Sequence, residues 1–257
     1  MSMLLNALLL VLREVLEAAV LLSLLWNFSK LTRQSVRWMI PAAVTGLAIA
    51  VCYAVAIETV TDWWDGSGQE CISAGLHLAV YLPMLILVWA LYRPLPEKYT
   101  MVAMSLVFVA ASIREGSEIV IYVGAFMDAP SVKGAVFSGA VIGAGIAVSC
   151  GVLVSALMGT LASYQARFWV AICLIFVASG MMLQAVSLLD QAGLLEHSDR
   201  AFDLETWVSE QSVLGQLLYA VFGYDSQPSW VQLGVYAASL TLALSLMYSA
   251  RRLAVRV

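Results

Sequence analysis

The chain has 257 residues, of which 62% are hydrophobic and only 12% charged, and its mean hydropathy of +0.89 lies far outside the range of soluble domains. A net charge of −4 gives no reason to expect a nucleic-acid partner, and the four cysteines, Cys52, Cys71, Cys150 and Cys173, are too dispersed for a disulfide framework or a thiolate metal site. The composition points to an all-α, polytopic protein whose partner is the lipid bilayer.

Seven apolar segments are read at about 4–28, 38–60, 72–92, 100–126, 132–160, 168–189 and 230–250. The first is not expected to be a cleaved leader, because no Lys or Arg precedes it and its run contains Arg13, Glu14 and Glu17. Those three charges return at the same spacing in the fourth segment as Arg114, Glu115 and Glu118. A charge at mid-membrane costs roughly 2.5–3.5 kcal/mol on translocon scales, so six of them need a function or very good pairing to offset the cost. Residues three and four apart share a helix face, which puts two carboxylates and one guanidinium of each motif on an arc of roughly 100°. The spacing predicts that Arg13 grips Glu17 and Arg114 grips Glu118 by bidentate i to i+4 bonds, making the arginines orienting groups that leave other carboxylate oxygens free. A purely structural salt bridge explains one copy well; it explains a duplicate carrying two acids per base poorly.

Elsewhere the second segment ends at the Trp63-Trp64 pair, an expected interfacial anchor. The third carries His77 and Tyr81 on one face, and the sixth carries Gln184; these three are candidate accessory residues. Arg93 to Lys98, with two prolines, forms a stiff linker between two halves. In the fourth segment Gly116 and Ser117 are small enough for a neighbouring helix, or an ion, to approach the backbone, and in the fifth Gly139 and Gly143 have the spacing of close helix packing. From Phe202 to Phe222 the apolar spacing is helical, as expected of an interfacial helix.

Loop charge sets an expected orientation. Lys30, Arg33 and Arg37, then Arg93 and Lys98, then Arg167, then Arg251, Arg252 and Arg256 fall in alternate connections, so these are expected in the cytoplasm, with the N-terminus outside. The acidic stretches, including Asp190 to Asp225, fall on the outer side, either to gather cations or simply as solvated loops. With three spans between the motif helices, the two copies run in opposite directions, as in an inverted-topology repeat of three plus three helices with one extra. The expected units are 1–95, 96–190, and an outer segment with the seventh helix at 191–257.

Four carboxylates against two guanidiniums leave a net charge near −2 in a region of low dielectric, which must be partly protonated or bind a cation. All-oxygen ligation suits hard cations such as iron, manganese, magnesium or calcium. A membrane-embedded di-metal carboxylate enzyme would call for Glu-x-x-His pairs, which neither His77 nor His197 supplies. No enzyme activity is therefore expected. A proton-coupled carrier of another hard divalent cation fits the residues as well as an iron carrier does.

The doubled Arg-Glu-x-x-Glu motif, in the first and fourth of seven segments, resembles that of the high-affinity, oxidase-dependent iron permeases of fungi and bacteria. Ala192-Gly193-Leu194, Ser212 to Gly215 and Phe222-Gly223-Tyr224 resemble the bacterial members in the outer segment. The resemblance implies iron as transported substrate, with Glu14, Glu17, Glu115 and Glu118 as its ligands and no tightly bound cofactor. It also implies the bacterial inner membrane, and a periplasmic oxidase or iron-binding protein that delivers iron at the outer face. Val15-Leu16 and Gly116-Ser117 stand where the family usually has Gly-Leu.

Overall fold

A computed structural model describes residues 2–195, 198–209 and 212–255. His197 and Arg256 lie outside the described residues. In chain order the elements are α1 (Ser2–Leu31), α2 (Met39–Val55), α3 (Ile57–Thr61), a 3₁₀ turn (Trp63–Gly66), α4 (Gly68–Ala90), α5 (Glu97–Ala125), α6 (Pro130–Thr160), α7 (Ser163–Gln191), α8 (Val213–Phe222) and α9 (Trp230–Val255). Among the described residues the only β pairing is a single bridge between Arg200 and Ser229.

Four helices, α4, α6, α7 and α9, are long and apolar enough to cross a membrane. At 17 residues α2 is shorter, and the segment expected over 38–60 breaks at Ala56 into α2 and α3. With 30 and 29 residues α1 and α5 have ample length, but the motif charges interrupt their apolar runs.

The core lies where α1, α4, α5 and α7 meet, around Phe28, Met84, Leu87, Met104 and Leu174. Of the four apolar spans α7 is the most enclosed, whereas α6 and α9 keep most of their surface outward. Phe137, Val141, Val152 and Leu153 on α6, with Ile40, Val44 and Leu47 on α2, are exposed side chains suited to lipid tails rather than water.

Small residues decide which helices approach closely. The most extensive contact is α1 on α6, followed by α2 on α5. On α6 the buried stripe is Gly139, Gly143, Ala147 and Gly151; on α2 it is Ala42, Gly46 and Ala50. A Cβ on Gly143 would meet the Leu8 carbonyl and the Leu12 amide, and one on Gly46 would meet Ser112 and the Val109 carbonyl. Such close approach lets polar groups bond across the α1–α6 seam: Ser23 Oγ donates to the Gly151 carbonyl at 2.6 Å and Asn27 Nδ2 to Ser155 Oγ at 3.1 Å.

The two ends of the bundle differ in charge. One end collects Lys30, Arg33, Arg37, Arg93, Lys98, Arg167, Arg251 and Arg252. There Arg93 Nη1 donates to the Leu253 carbonyl at 3.1 Å and Arg167 Nη2 to the Leu31 carbonyl at 3.3 Å, tying four helix ends together. The opposite end carries the acidic segment after α7. Within it the Asp203 carboxylate accepts the Glu205 amide N–H at 2.9 Å and the Gln227 side-chain amide at 2.8 Å, and these bonds hold it below the usual carboxylate range.

This segment departs from the expected single helix over 202–222. Residues around 205–208 form turns, and the helix begins only at Val213, where Ser212 Oγ accepts the Gly215 N–H at 3.0 Å. Gly223 closes α8 in the left-handed conformation, at φ +66. Its backbone lies against Gly180 of α7, where a side chain on either glycine would collide. The helix is thus pinned onto α7 and α1 instead of lying apart from the bundle.

Candidate functional site

The two motifs are positioned by where they fall along their helices. Glu14 lies about 18 Å along α1 from Ser2, and Glu115 about 15 Å from the end of α5 at Ala125. The helices touch, so six charges from two elements meet in one cluster in the middle of the bundle. Glu14, Glu17 and Glu115 are 0%, 3% and 2% exposed. One carboxylate oxygen from each lies within 4.8 Å of the others, a spacing that lets a single cation touch all three.

Of the two pairings that the helix spacing predicts, Arg114 with Glu118 forms and Arg13 with Glu17 does not. Arg114 Nη2 does lie 3.4 Å from Glu118, the i to i+4 partner. Its Nη1 donates to Glu115 at 2.8 Å and crosses to Glu17 of α1 at 3.2 Å. Arg13 leaves Glu17 to Arg114; its Nε donates to Glu14 at 2.7 Å, its Nη2 also bonds Glu14, and it lies 3.6 Å from Glu118 of α5. The i to i+4 rule describes an isolated helix, whereas here a second helix carries acids within reach of each guanidinium, and both arginines bridge the motifs.

This exchange leaves one oxygen of each buried acid without a partner. Glu14 and Glu115 give Oε1 to an arginine and Glu17 gives Oε2. Glu14 Oε2, Glu17 Oε1 and Glu115 Oε2 are buried and accept no hydrogen bond. Burying anionic oxygens unsatisfied is costly, so a bound cation, or protons shared among the carboxyls, must compensate. Hard oxygen donors without sulfur or imidazole favour a hard cation such as iron. Glu118 differs: its side chain is 32% exposed and its two oxygens face Arg13 and Arg114, which puts it at the rim.

The accessory candidates separate. His77, on α4, is buried with Nδ1 2.7 Å from the Ser73 carbonyl and Nε2 2.6 Å from the Gln184 side chain on α7. The Ser73 carbonyl only accepts, so Nδ1 donates to it, and Nε2 bonds Gln184 Oε1 or, with that amide turned over, its N–H. Both ring nitrogens are engaged, which leaves no lone pair for a metal. Tyr81 is packed in the apolar core.

One residue near the site escapes sequence reasoning. The Tyr219 ring of α8 lies 5.4 Å from the Arg13 guanidinium, on which it stacks as a cation–π partner. The signal is its place in the apolar pattern before Phe222-Gly223-Tyr224, but it is the docking of α8 on α7, through Gly180–Gly223 and Phe176–Phe222, that brings that helix to the motif.

Comparison with known proteins gives a consistent result. The model of the Iron permease FTR1 family matches residues 68–257. The ferrous iron permease EfeU of Yersinia pestis is 30% identical, over 92% of this chain and 90% of its own length. That of Yersinia pseudotuberculosis is 30% identical over 92% and 89%. The protein of the same name from Escherichia coli O6:K15:H31 is 28% identical over 92% of each chain. No solved structure matches.

Proposed function

The chain belongs to the Iron permease FTR1 family, and with that as premise we propose that it carries iron across the bacterial inner membrane through a mid-membrane site built by Glu14, Glu17, Glu115 and Glu118. Two observations carry this reading together: Glu14, Glu17 and Glu115 each keep one buried carboxylate oxygen without a hydrogen bond, and these three acids from two helices bring one carboxylate oxygen each within 4.8 Å of the others. Arg13 and Arg114 orient the acids and limit their repulsion, while Glu118 at the rim is the ligand that meets iron before the buried three. The relatives are named ferrous iron permeases, and ferrous iron is the substrate we assign.

Seven helices, α1, α2, α4, α5, α6, α7 and α9, cross the membrane in this reading, as an inverted repeat of 1–95 and 96–190 followed by 191–257. The pairing of helices supports it: exchanging the halves turns the α1–α6 contact into α5–α2, and both seams are built on small residues at four-residue spacing. The basic end faces the cytoplasm, and the acidic end receives iron from a periplasmic oxidase or iron-binding protein. Transport replaces catalysis, and no resident cofactor is needed.

Uptake of radioactive iron into right-side-out membrane vesicles tests the assignment. Accumulation with a reductant present, lost in Glu14→Gln and undiminished by excess manganese, is the expected result. Manganese uptake equal to that of iron would favour the carrier of another divalent cation.

A further inference from the structure

At the basic end, away from the glutamate cluster, a cavity of about 330 Å³ opens between the ends of α4, α7 and α9. Tyr92, Tyr164, Arg167, Phe168, Trp169 and Arg251 line it. The Arg251 guanidinium lies 5.5 Å from the Tyr92 ring centre and 5.8 Å from that of Phe168, which holds the charge between two aromatic faces. Arg167 donates to the Leu31 carbonyl through Nη2, keeping its other N–H groups for a further acceptor. Neither arginine has a carboxylate within 4.0 Å, since the ion pairs among the described residues all belong to the motif cluster.

A second observation points to a missing acceptor. Tyr92 Oη is buried and without a hydrogen-bond partner. A phenol at neutral pH is a donor, and leaving it unpaired where solvent cannot reach is unfavourable. Two guanidiniums beside a phenol form a set of donors for an anion with several oxygens, and Glu97, which lines the adjoining cavity with Tyr92 and Arg167, pairs with neither arginine. Exposed Tyr164 and Trp169 beside the cavity are the aromatic side chains that sit at headgroup level, and the exposed apolar surface of the bundle begins next to them.

We propose that this cavity is a binding site for the phosphodiester headgroup of an anionic phospholipid. Arg167 and Arg251 bind the phosphate oxygens, Tyr92 donates to one of them, and the acyl chains run along the outside of α7 and α9. A lipid held there joins the ends of α4, α7 and α9 in the leaflet that carries most of the anionic charge facing basic loops.

Native mass spectrometry of the full chain in detergent, with phosphatidylglycerol and phosphatidylcholine supplied in equal amounts, tests the site. The expected result is a preference for phosphatidylglycerol of roughly tenfold, because the choline cation of phosphatidylcholine is repelled by the two guanidiniums that bind its phosphate, falling to near parity in the Arg167→Gln, Arg251→Gln double variant. Lys133→Gln, at the opposite end, keeps the preference. Tyr92→Phe removes only an unpaired hydroxyl, so it folds normally and lowers the amount of phosphatidylglycerol bound severalfold even if the double variant does not fold. Undiminished phosphatidylglycerol binding by Tyr92→Phe, or an undiminished preference in a folded double variant, overturns the proposal. So does protection from heat by inorganic phosphate equal to that by the lipid, which would make this a site for a free anion.

Discussion

Arg114 on α5 donates to Glu17 on α1 at 3.2 Å, so one guanidinium fastens the two motif helices to each other at their most charged point. The same group holds Glu115 and Glu118, and it is only 8% exposed, whereas a third of the Arg13 side chain is accessible. Three acids therefore depend on Arg114. Removing one member of a buried pair typically costs about 3–5 kcal/mol, because the partner stays buried and charged. Arg114→Gln is expected to lose that much stability, measured as thermal unfolding in detergent, and Arg13→Gln clearly less. Arg114→Lys keeps the charge without the fork, so it should fold but carry iron more slowly. Equal effects at the two arginines would contradict this division.

The glutamates should likewise fall into two groups. Gln keeps the shape of Glu but replaces an anionic oxygen with an amide, so Glu14→Gln, Glu17→Gln and Glu115→Gln are each expected to abolish iron uptake in vesicles while the protein still inserts. Glu118 has both oxygens toward arginines and lies at the rim, so Glu118→Gln should slow uptake by about tenfold, the weight of one charged hydrogen bond. Normal uptake by a well-expressed Glu14→Gln variant would remove the site.

Much of this was legible in the sequence, and the limits have physical causes. A long apolar run interrupted by three charges at helical spacing can only be a helix with an important buried face, and the duplicated motif marks both helices of the cluster. The Arg114–Glu118 pair was legible, but the bonds across to Glu17 and Glu118 from the other helix were not, because they depend on the distance between α1 and α5 and not on spacing within either. Gly116 shows the same limit: its smallness signals close approach, and the structure assigns that approach to Ala50 of α2, whose Cβ lies 3.1 Å from where a Gly116 Cβ would sit. The outer segment was read least well, since its apolar pattern continues through residues that form turns, and a glycine–glycine contact distant in sequence determines where α8 docks.

The α1–α6 seam gives a prediction independent of the charges. A side chain at Gly143 would press on the Leu8 carbonyl and the Leu12 amide, while Gly145, two residues on, has nothing within 4 Å of its Cβ position. Backbone cannot move aside as a flexible side chain can, and overpacking typically costs about 1–3 kcal/mol. Gly143→Leu should separate the helices, lower the thermal midpoint and disturb the cluster that α1 carries; Gly145→Leu should leave both stability and uptake unchanged. Tolerance of Gly143→Leu would mean the seam is looser than the geometry indicates.

The last prediction concerns orientation. Apart from the motif arginines, the bundle gathers its cations at one end, with only Lys133 and Arg200 among the described residues at the other, while Glu58, Asp62, Asp65, Glu70, Asp128, Asp190 and Asp225 share that other end. Basic connections are retained on the cytoplasmic side during insertion, so the acidic end should face outward. Ser198 lies in the acidic segment and the exposed Ser35 in the basic connection between α1 and α2. In a variant freed of its four native cysteines, Ser198→Cys should react with an impermeant maleimide on intact cells, and Ser35→Cys only after the membrane is opened. The reverse pattern would turn the molecule over, placing Arg167 and Arg251 in the outer leaflet and the acidic segment in the cytoplasm, and iron delivery from a periplasmic partner would lose its receiving face.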